Sequence, residues 1–276
     1  MSGGGQGSGA GASVGLEVGG GVAVLTLRHP PVNAITVAMA LQMGEHLRDL
    51  EHDEQVGAVI ITGAGSRAFS AGSDIREFAA MLAPHQAVDR KLRPQNMVFS
   101  YLARYAKPTI AALNGDTLGG GLEIAVCCDL IVADRSARIG SPEITLGVFP
   151  SSGGTFRVAR RIGVGRAKQM QLLGLPISAE TAQEWGLVNQ VAETGHSLAD
   201  AKVLAGILLR RPPRALALCK SVIDGSDDLS EPQLIEHSLL ASECAFTSPE
   251  CAEGVRAFLA KEEPAYRVGR PAPATS

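Results

Sequence analysis

The sequence predicts an α/β fold in which strand–helix units come first and helices come last. Short apolar runs rich in β-branched residues, which are typical of buried strands, alternate with segments of helical spacing in the first part of the chain. From Gly163 onward helical patterns dominate, and the sequence contains no internal repeat. This order indicates a layered α/β core followed by a helical C-terminal region.

Composition and charge exclude several classes of protein. The chain has 276 residues, of which 45% are hydrophobic and 19% are charged, as in an ordinary globular enzyme. Its formal net charge of −3 gives no basic surface of the kind that binds nucleic acid. No apolar run reaches the roughly 18 residues that a membrane helix needs. Five cysteines without metal-binding spacing predict reduced thiols, a cytoplasmic location and no metal site.

The N-terminal part of the chain predicts a tail, a hairpin and a helix. Residues 1–12 are rich in glycine and serine, which favours a flexible tail, and they lack the features of a secretory signal. Two strand-like runs, Val14–Val18 and Val22–Leu27, are separated by three glycines, which indicates a β-hairpin. Two consecutive prolines stop the second strand, because proline cannot continue a ladder. Helical spacing then extends from Thr36 to Leu50.

The same criteria predict the later elements. β-branched residues indicate a buried strand at Val56–Thr62. A helical region at Arg76–Tyr105 is interrupted near Pro84 and Pro94. The remaining predicted elements are strands at Pro108–Leu113 and Leu130–Ala133 and helices at Gly165–Leu173, Ser178–Trp185, Leu198–Arg210, Pro213–Ile223, Pro232–Ala245 and Pro249–Lys261.

A glycine-rich stretch between a strand and a helix is the first candidate site. Three glycines at positions 119–121 follow the apolar strand and precede a helical pattern that begins near Leu122. The first N–H groups of a helix have no partner within it, so they can bind an oxyanion. Glu123 places a carboxylate beside those donors. The stretch taken alone is also compatible with a tightly packed turn that has no catalytic role.

Two further segments can converge on this stretch. Residues 68–77 form another glycine-containing turn before a helix, which can supply a second backbone N–H. Glu143 stands 20 positions after Glu123, across a predicted strand, so the two carboxylates can meet. In such a pair one carboxylate acts as base while the other, whose pKa is raised by its neighbour, acts as acid.

Taken together, these segments resemble the crotonase (enoyl-CoA hydratase/isomerase) superfamily, and the closest match in motif is to enoyl-CoA hydratase. The resemblance extends from about Val14 to Tyr266. Five ordered blocks carry it: His29-Pro30 with Asn33-Ala34, Ala71-Gly72-Ser73-Asp74-Ile75, Asn114-Gly115 with Gly119-Gly120-Gly121 and Glu123, Pro142-Glu143 with Gly147, Pro150, Gly153-Gly154 and Thr155, and Glu253-Gly254 with Ala257-Phe258 and Lys261.

The resemblance implies a fold and an assembly. The fold would be a crotonase-type spiral of ββα units, with a core at residues 13–197. Residues 198–276 would form a helical C-terminal trimerisation region, and the trimers would commonly pair into hexamers.

The resemblance also implies an activity and its residues. The backbone N–H groups of Ser73 and Gly120 would form an oxyanion hole for the thioester oxygen of an acyl-CoA substrate. Ser73 replaces the usual alanine but keeps the same N–H. Glu123 and Glu143 would activate one water for hydration of a 2-enoyl-CoA, with no cofactor and no metal. The expected substrate or CoA contacts are Pro31, Val32, Ala71, Asp74, Ile75, Phe258 and Lys261.

The sequence leaves several alternatives open. Double-bond isomerisation, hydratase-aldolase cleavage and a non-catalytic acyl-CoA-binding scaffold are compatible with the same blocks, although the presence of both glutamates favours hydration. Asp116 places another acid near the site, as a catalytic group or as a solvated loop residue. The acyl pocket is expected within Phe78–Ser100, which carries no readable pattern for chain length.

Overall fold

Two sheets form the centre of the computed structural model, which describes residues 11–266 of the chain. The larger sheet has six strands in the order β1-β2-β3-β5-β7-β10, and the smaller has four in the order β4-β6-β8-β9. The strands are β1 (Ser13–Gly19), β2 (Val22–Arg28), β3 (Ala58–Gly63), β4 (Ala68–Ser70), β5 (Thr109–Leu113), β6 (Asp116–Leu118), β7 (Leu130–Asp134), β8 (Arg138–Gly140), β9 (Ile177–Ser178) and β10 (Gln190–Ala192).

Helices connect these strands and complete the C-terminal part. They are α1 (Val37–Glu51), α2 (Arg93–Ala103), α3 (Gly120–Ala125), α4 (Gly154–Leu173), α5 (Ala179–Glu184), α6 (Ser197–Leu208), α7 (Pro213–Gly225), α8 (Glu231–Phe246) and α9 (Pro249–Ala260). Short 3₁₀ helices at Ile75–Met81 and Pro142–Leu146 and a π-helical turn at Val88–Leu92 lie between them.

Apolar side chains cover both faces of the larger sheet. Its central strands pair in parallel, β2 with β3, β3 with β5 and β5 with β7. Alternate residues of a strand point to opposite faces, so Val59 and Ile61 join one apolar cluster while Ala58 and Ile60 join another. Burial on both faces explains why β3 is a continuous apolar run.

Most of the predicted elements are confirmed. The hairpin is β1 and β2, paired in antiparallel orientation, and the first helix is α1, whose N-cap Thr36 accepts a hydrogen bond from the Met39 N–H at 3.1 Å. The predicted interruption at Pro94 differs in detail. The helix is not broken at Pro94, because the π-helical turn at Val88–Leu92 continues directly into α2, whose second residue is Pro94. A proline inside a helix removes one backbone donor, and the irregular turn lies directly before it.

The first of the C-terminal helices, α6, packs with the core. Helix α6 packs against β3, β5 and β7 through Ala201 and Ala205, which belong to the cluster on one sheet face. The predicted boundary between residues 197 and 198 therefore falls at the start of a helix that packs with the core. Of the predicted tail at residues 1–12, residues 1–10 lie outside the described part of the chain, as do residues 267–276 at the other end.

Two asparagines hold the loops at one edge of the larger sheet. Asn33 Nδ2 donates to the carbonyl oxygens of Ala64 and Ala68, at 2.9 and 2.8 Å. Asn114 Oδ1 accepts a hydrogen bond from the Gly63 N–H at 2.9 Å. The loops that follow β2, β3 and β5 are thereby joined at the carboxyl ends of parallel strands, the edge at which α/β proteins commonly bind ligands. Among residues 11–266, no helix is long and apolar enough to cross a membrane.

Candidate active site

Two backbone segments approach each other very closely at this edge. A Cβ atom on Gly121 would lie 2.6 Å from the Ser70 carbonyl oxygen, a distance that no real side chain tolerates. A Cβ atom on Gly120 would lie 3.2 Å from Ser73 Oγ. Glycine is therefore required where α3 begins, because any side chain would push the two segments apart.

The close approach brings two backbone N–H groups together. Ile35 pairs with the residues on either side of Ser73, since its N–H donates to Gly72 O at 2.7 Å and its carbonyl accepts from Asp74 N at 2.9 Å. The N–H of Ser73 itself therefore points away from Ile35. A Cβ atom on Gly120 would lie 3.4 Å from Ser73 N. Within residues 11–266, neither the Ser73 N–H nor the Gly120 N–H donates to a protein acceptor.

Glu123 is held beside these donors by a third segment. Its Oε1 atom accepts hydrogen bonds from Ser152 N at 2.7 Å and from Gly154 N at 3.0 Å. Its side chain is almost completely buried, with 5% of the residue exposed. Burial raises the pKa of Glu123, and the two backbone donors oppose that shift because they stabilise the carboxylate.

The segment that holds Glu123 is itself tightly fixed. A Cβ atom on Gly154 would lie 2.9 Å from Glu123 Cγ, so glycine permits the approach. Ser152 Oγ donates to Gln95 Oε1 at 3.1 Å, and Gln171 Nε2 donates to Gly154 O at 3.1 Å. Sequence reasoning matched Gly153 and Gly154 to the family motif but did not identify the hydrogen bonds from Ser152 N and Gly154 N to Glu123. Backbone donors have no residue type of their own, and only the glycine pair indicated them.

Glu143 faces the same space from the 3₁₀ helix at Pro142–Leu146. A Cβ atom on Gly119 would lie 3.2 Å from Glu143 Oε1, which places the carboxyl group against the start of α3. Both of its oxygen atoms are buried and have no hydrogen-bond partner among the described residues. Burial, assisted by the charge of Glu123, raises the pKa of Glu143 to about 7. The carboxyl group is therefore free to bind water or substrate and carries a proton part of the time at neutral pH.

The expected CoA contacts at the first two loops lie beside this site. The Ala71 N–H donates to Val32 O at 2.9 Å, which joins the loop after β2 to the loop after β4. Pro31 and Ile75 are exposed at the same edge. The Asp74 carboxylate is bound by Arg76, whose Nη2 lies 2.7 Å from Oδ2. That hydrogen-bonded guanidinium lowers the pKa of Asp74.

The structure does not bring the C-terminal candidates to the site. Phe258 is 83% exposed on α9, and Lys261 is the exposed residue at the end of that helix. In the described part of the chain, no hydrogen bond or ion pair joins either residue to the glutamates or to the two free N–H groups.

Asp116 forms an ion pair with Arg138. Its Oδ1 accepts a hydrogen bond from Arg138 Nε at 3.0 Å, and this contact lowers the pKa of Asp116. The residue lies on the short strand β6, so it is neither a free acid nor a loop residue. Among residues 11–266, no group of three or more His, Cys, Asp or Glu side chains is placed to hold a metal ion.

Comparison with known proteins agrees with this geometry. A family model described as enoyl-CoA hydratase/isomerase matches residues 17–268. A short-chain-enoyl-CoA hydratase of Clostridium acetobutylicum is 38% identical over 251 residues, covering 90% of this chain and 95% of the relative. A 2,3-dehydroadipyl-CoA hydratase of Escherichia coli is 37% identical over 248 residues, covering 89% of this chain and 95% of the relative.

Solved structures give the same result. The crystal structure of an enoyl-CoA hydratase from Polaromonas sp. JS666 superposes with a TM-score of 0.88 at 30% identity, covering 92% of this chain and all of that one. The α/β fold with its helical C-terminal region is therefore that of the crotonase structures. The chain belongs to the enoyl-CoA hydratase/isomerase family, the crotonase superfamily.

Proposed function

We propose that the protein is an enoyl-CoA hydratase, which adds water to a 2-enoyl-CoA thioester to give the 3-hydroxyacyl-CoA. One observation carries the proposal: the buried carboxyl groups of Glu123 and Glu143 lie next to two backbone N–H groups that have no protein acceptor among residues 11–266. A hydration needs both parts, since it needs acid/base groups for water and donors for the charge that develops on the thioester oxygen. The hydratases among the relatives support the same reaction.

The proposed reaction proceeds as follows. The thioester oxygen binds the N–H groups of Ser73 and Gly120, which polarise the conjugated double bond. Glu123 takes a proton from water as the water oxygen forms a bond to Cβ, and the charge of the resulting enolate rests on the thioester oxygen. Glu143 gives its proton to Cα. A proton then passes from Glu123 to Glu143, so that one water has been added and the enzyme is unchanged.

The surroundings of the glutamates support this division of roles. Two N–H donors hold Glu123 Oε1; they offset part of the rise in pKa that burial causes, and they leave the other oxygen for the incoming water. The carboxyl oxygens of Glu143 accept no hydrogen bond from the described residues, and the pKa of about 7 keeps part of the Glu143 population protonated at neutral pH.

The rest of the assignment follows from this reaction. We place the coenzyme A moiety along Pro31, Val32, Ala71, Asp74 and Ile75, at the open edge beside the oxyanion hole. The proposed reaction uses no cofactor, because acid, base and charge stabilisation come from the protein. We also place the protein in the cytoplasm, a location that the five free thiols support because reducing compartments keep cysteines unpaired.

The first prediction tests the two glutamates. Glu123→Gln and Glu143→Gln should each lower the hydratase kcat by on the order of 10²–10⁴ while acyl-CoA binding persists. The double variant should lose little more than the worse single variant, because the residues act as a unit. Hydration of crotonyl-CoA is followed by the loss of the ultraviolet absorbance of the conjugated enoyl thioester, and binding by calorimetry with butyryl-CoA.

Asp116→Asn is the matched control. It neutralises an acid on β6, the strand before α3, whose carboxylate accepts a hydrogen bond from Arg138. It should retain the parent activity. Unchanged turnover in the double glutamate variant would contradict the hydratase mechanism. Binding of acyl-CoA by the parent without hydration of any enoyl ester would indicate the scaffold alternative, and a product lacking added water would indicate isomerisation.

The second prediction concerns pH. The pKa of Glu143 is raised to about 7, so its protonated form predominates below that pH and is lost as the pH rises through it. Since the protonated form donates to Cα, kcat/KM should fall above pH 7 by about tenfold per pH unit. The residual activity of Glu143→Gln should lack this ionisation. A parent profile that rises between pH 7 and 9 would show that Glu143 acts as a base instead.

The third prediction concerns assembly, for which we propose a trimer or a pair of trimers. Helices α8 and α9 expose a large apolar surface, and contiguous patches of this kind are unfavourable on a monomer. The exposed apolar side chains there are Ile235, Leu239, Leu240, Phe246, Val255, Phe258 and Leu259. We assign Phe258 and Lys261 to the CoA-binding surface of a neighbouring subunit, since they lie away from the site of their own chain.

Sedimentation at micromolar concentration should give the mass of three or six chains. Replacing Leu240 and Phe258 together by serine should shift the protein towards smaller species. A stable parent monomer would contradict both the assembly and the placement of Phe258 and Lys261.

A further inference from the structure

A buried lysine, Lys91, belongs to the segment Phe78–Ser100, in which the acyl pocket is expected. Lys91 belongs to the π-helical turn at Val88–Leu92, and only 5% of its side chain is exposed. Lysine is almost never buried to this extent unless its charge is paired. Sequence reasoning did not single out Lys91, because it stands among the charged residues Asp89, Arg90 and Arg93.

The neighbours of Lys91 belong to segments that lead to the candidate site. On one side its ammonium lies 3.5 Å from Glu77 Oε2 and 5.6 Å from the centre of the Phe78 ring. Both residues belong to the 3₁₀ helix at Ile75–Met81, which begins two residues after the oxyanion donor Ser73. On its other side in the chain, four residues after Lys91, the buried Gln95 accepts a hydrogen bond from Ser152, the residue that holds Glu123. Lys91 is near enough to Glu123 for the charge of that carboxylate to favour its ammonium form.

The charge of Lys91 is only partly compensated. An ammonium has three donors, and its one hydrogen bond among the described residues is the long contact to Glu77. Glu77 is shared, because its Oε1 accepts a hydrogen bond from the N–H of Val37 at 3.3 Å. Burial lowers the pKa of Lys91, whereas the charges of Glu77, Glu123 and Asp74 oppose that shift. A buried charge with unused donors is costly unless another acceptor reaches it.

We propose that Lys91 binds a carboxylate on the acyl chain of the substrate, so that the enzyme prefers enoyl-CoA esters whose acyl group ends in an acid. This inference rests on the proposed function. An acyl chain that consists only of alkyl groups would offer the Lys91 ammonium no hydrogen-bond acceptor. A carboxylate supplies charge-assisted hydrogen bonds, which are the strongest that a lysine makes. Glu77 competes for the same ammonium donors. Its contact to Lys91 is long and its other oxygen is bound by Val37 N–H, so a substrate carboxylate can replace Glu77 at the ammonium.

The alternative is that Lys91 acts on Glu123 through its charge. In that case its removal would alter turnover of every substrate to the same extent. Recognition of a carboxylate instead changes one substrate relative to another, mainly through KM. The two roles are therefore separated by a pair of substrates that differ only at the end of the acyl chain.

The experiment compares 2,3-dehydroadipyl-CoA with 2-hexenoyl-CoA, which have the same length but end in a carboxylate and a methyl group. Lys91→Met should lower kcat/KM for the acidic ester by on the order of ten- to a hundredfold, because a hydrogen bond to a charged group is lost. Activity on 2-hexenoyl-CoA should stay within about threefold, since methionine fills the same apolar space and tolerates burial.

Two further variants sharpen the test. Glu77→Gln removes the competing charge while its amide oxygen can still accept from Val37, so it should lower KM for the acidic ester. Arg93→Met removes an exposed positive charge two residues away and should leave the ratio of the two substrates unchanged. An equal loss on both esters in Lys91→Met, or no loss on either, would overturn the proposed role.

Binding of the saturated adipyl-CoA and hexanoyl-CoA, measured by calorimetry, gives a readout that needs no turnover. Weaker binding of adipyl-CoA alone in Lys91→Met supports recognition of the carboxylate even if hydration fails. If the parent hydrates neither enoyl ester but Lys91→Met weakens the binding of adipyl-CoA alone, the proposed hydratase activity is contradicted and the role of Lys91 is not.

Discussion

The site depends on the close approach of the backbone at Gly119–Gly121 to the loop at Ser70–Ser73. Each of these three glycines faces a different neighbour, so a side chain at any of them would meet a carbonyl oxygen, a serine or the Glu143 carboxylate. The approach brings the N–H groups of Ser73 and Gly120 together, as the proposed oxyanion hole requires, and sets Glu143 against the same turn. Rigid backbone donors stabilise developing charge well, because they need no reorganisation during the reaction.

The parallel sheet explains how residues far apart in the chain meet there. The loops after β2, β3 and β5 all leave from the carboxyl edge, where Asn33 and Asn114 hold them together. Glu123 is then fixed from a third direction by the N–H groups of Ser152 and Gly154. Burying two glutamates raises the pKa of each, a destabilising arrangement that the surrounding core must offset.

The sequence predicted those parts of the fold that have a strong local pattern. The hairpin and α1 have regular apolar spacing, β3 and β5 are continuous apolar runs, and the glycines at 119–121 stand where a strand becomes a helix. The smaller sheet could not be predicted, because strands such as β9, with two residues, are too short to show alternation. The donors to Glu123 are backbone groups without a residue signature, and Lys91 looks like a surface charge until its burial is known.

The proposed hydration requires that the N–H groups of Ser73 and Gly120 hold the thioester oxygen. The most direct measurement is the infrared stretching frequency of butyryl-CoA labelled with ¹³C at the thioester carbonyl, in water and bound to the enzyme. Two donors on the carbonyl oxygen should shift this frequency to lower wavenumber on binding, and Glu123→Gln should keep the shift because the backbone donors are unchanged. A bound frequency equal to or above that in water would contradict this role of the two N–H groups.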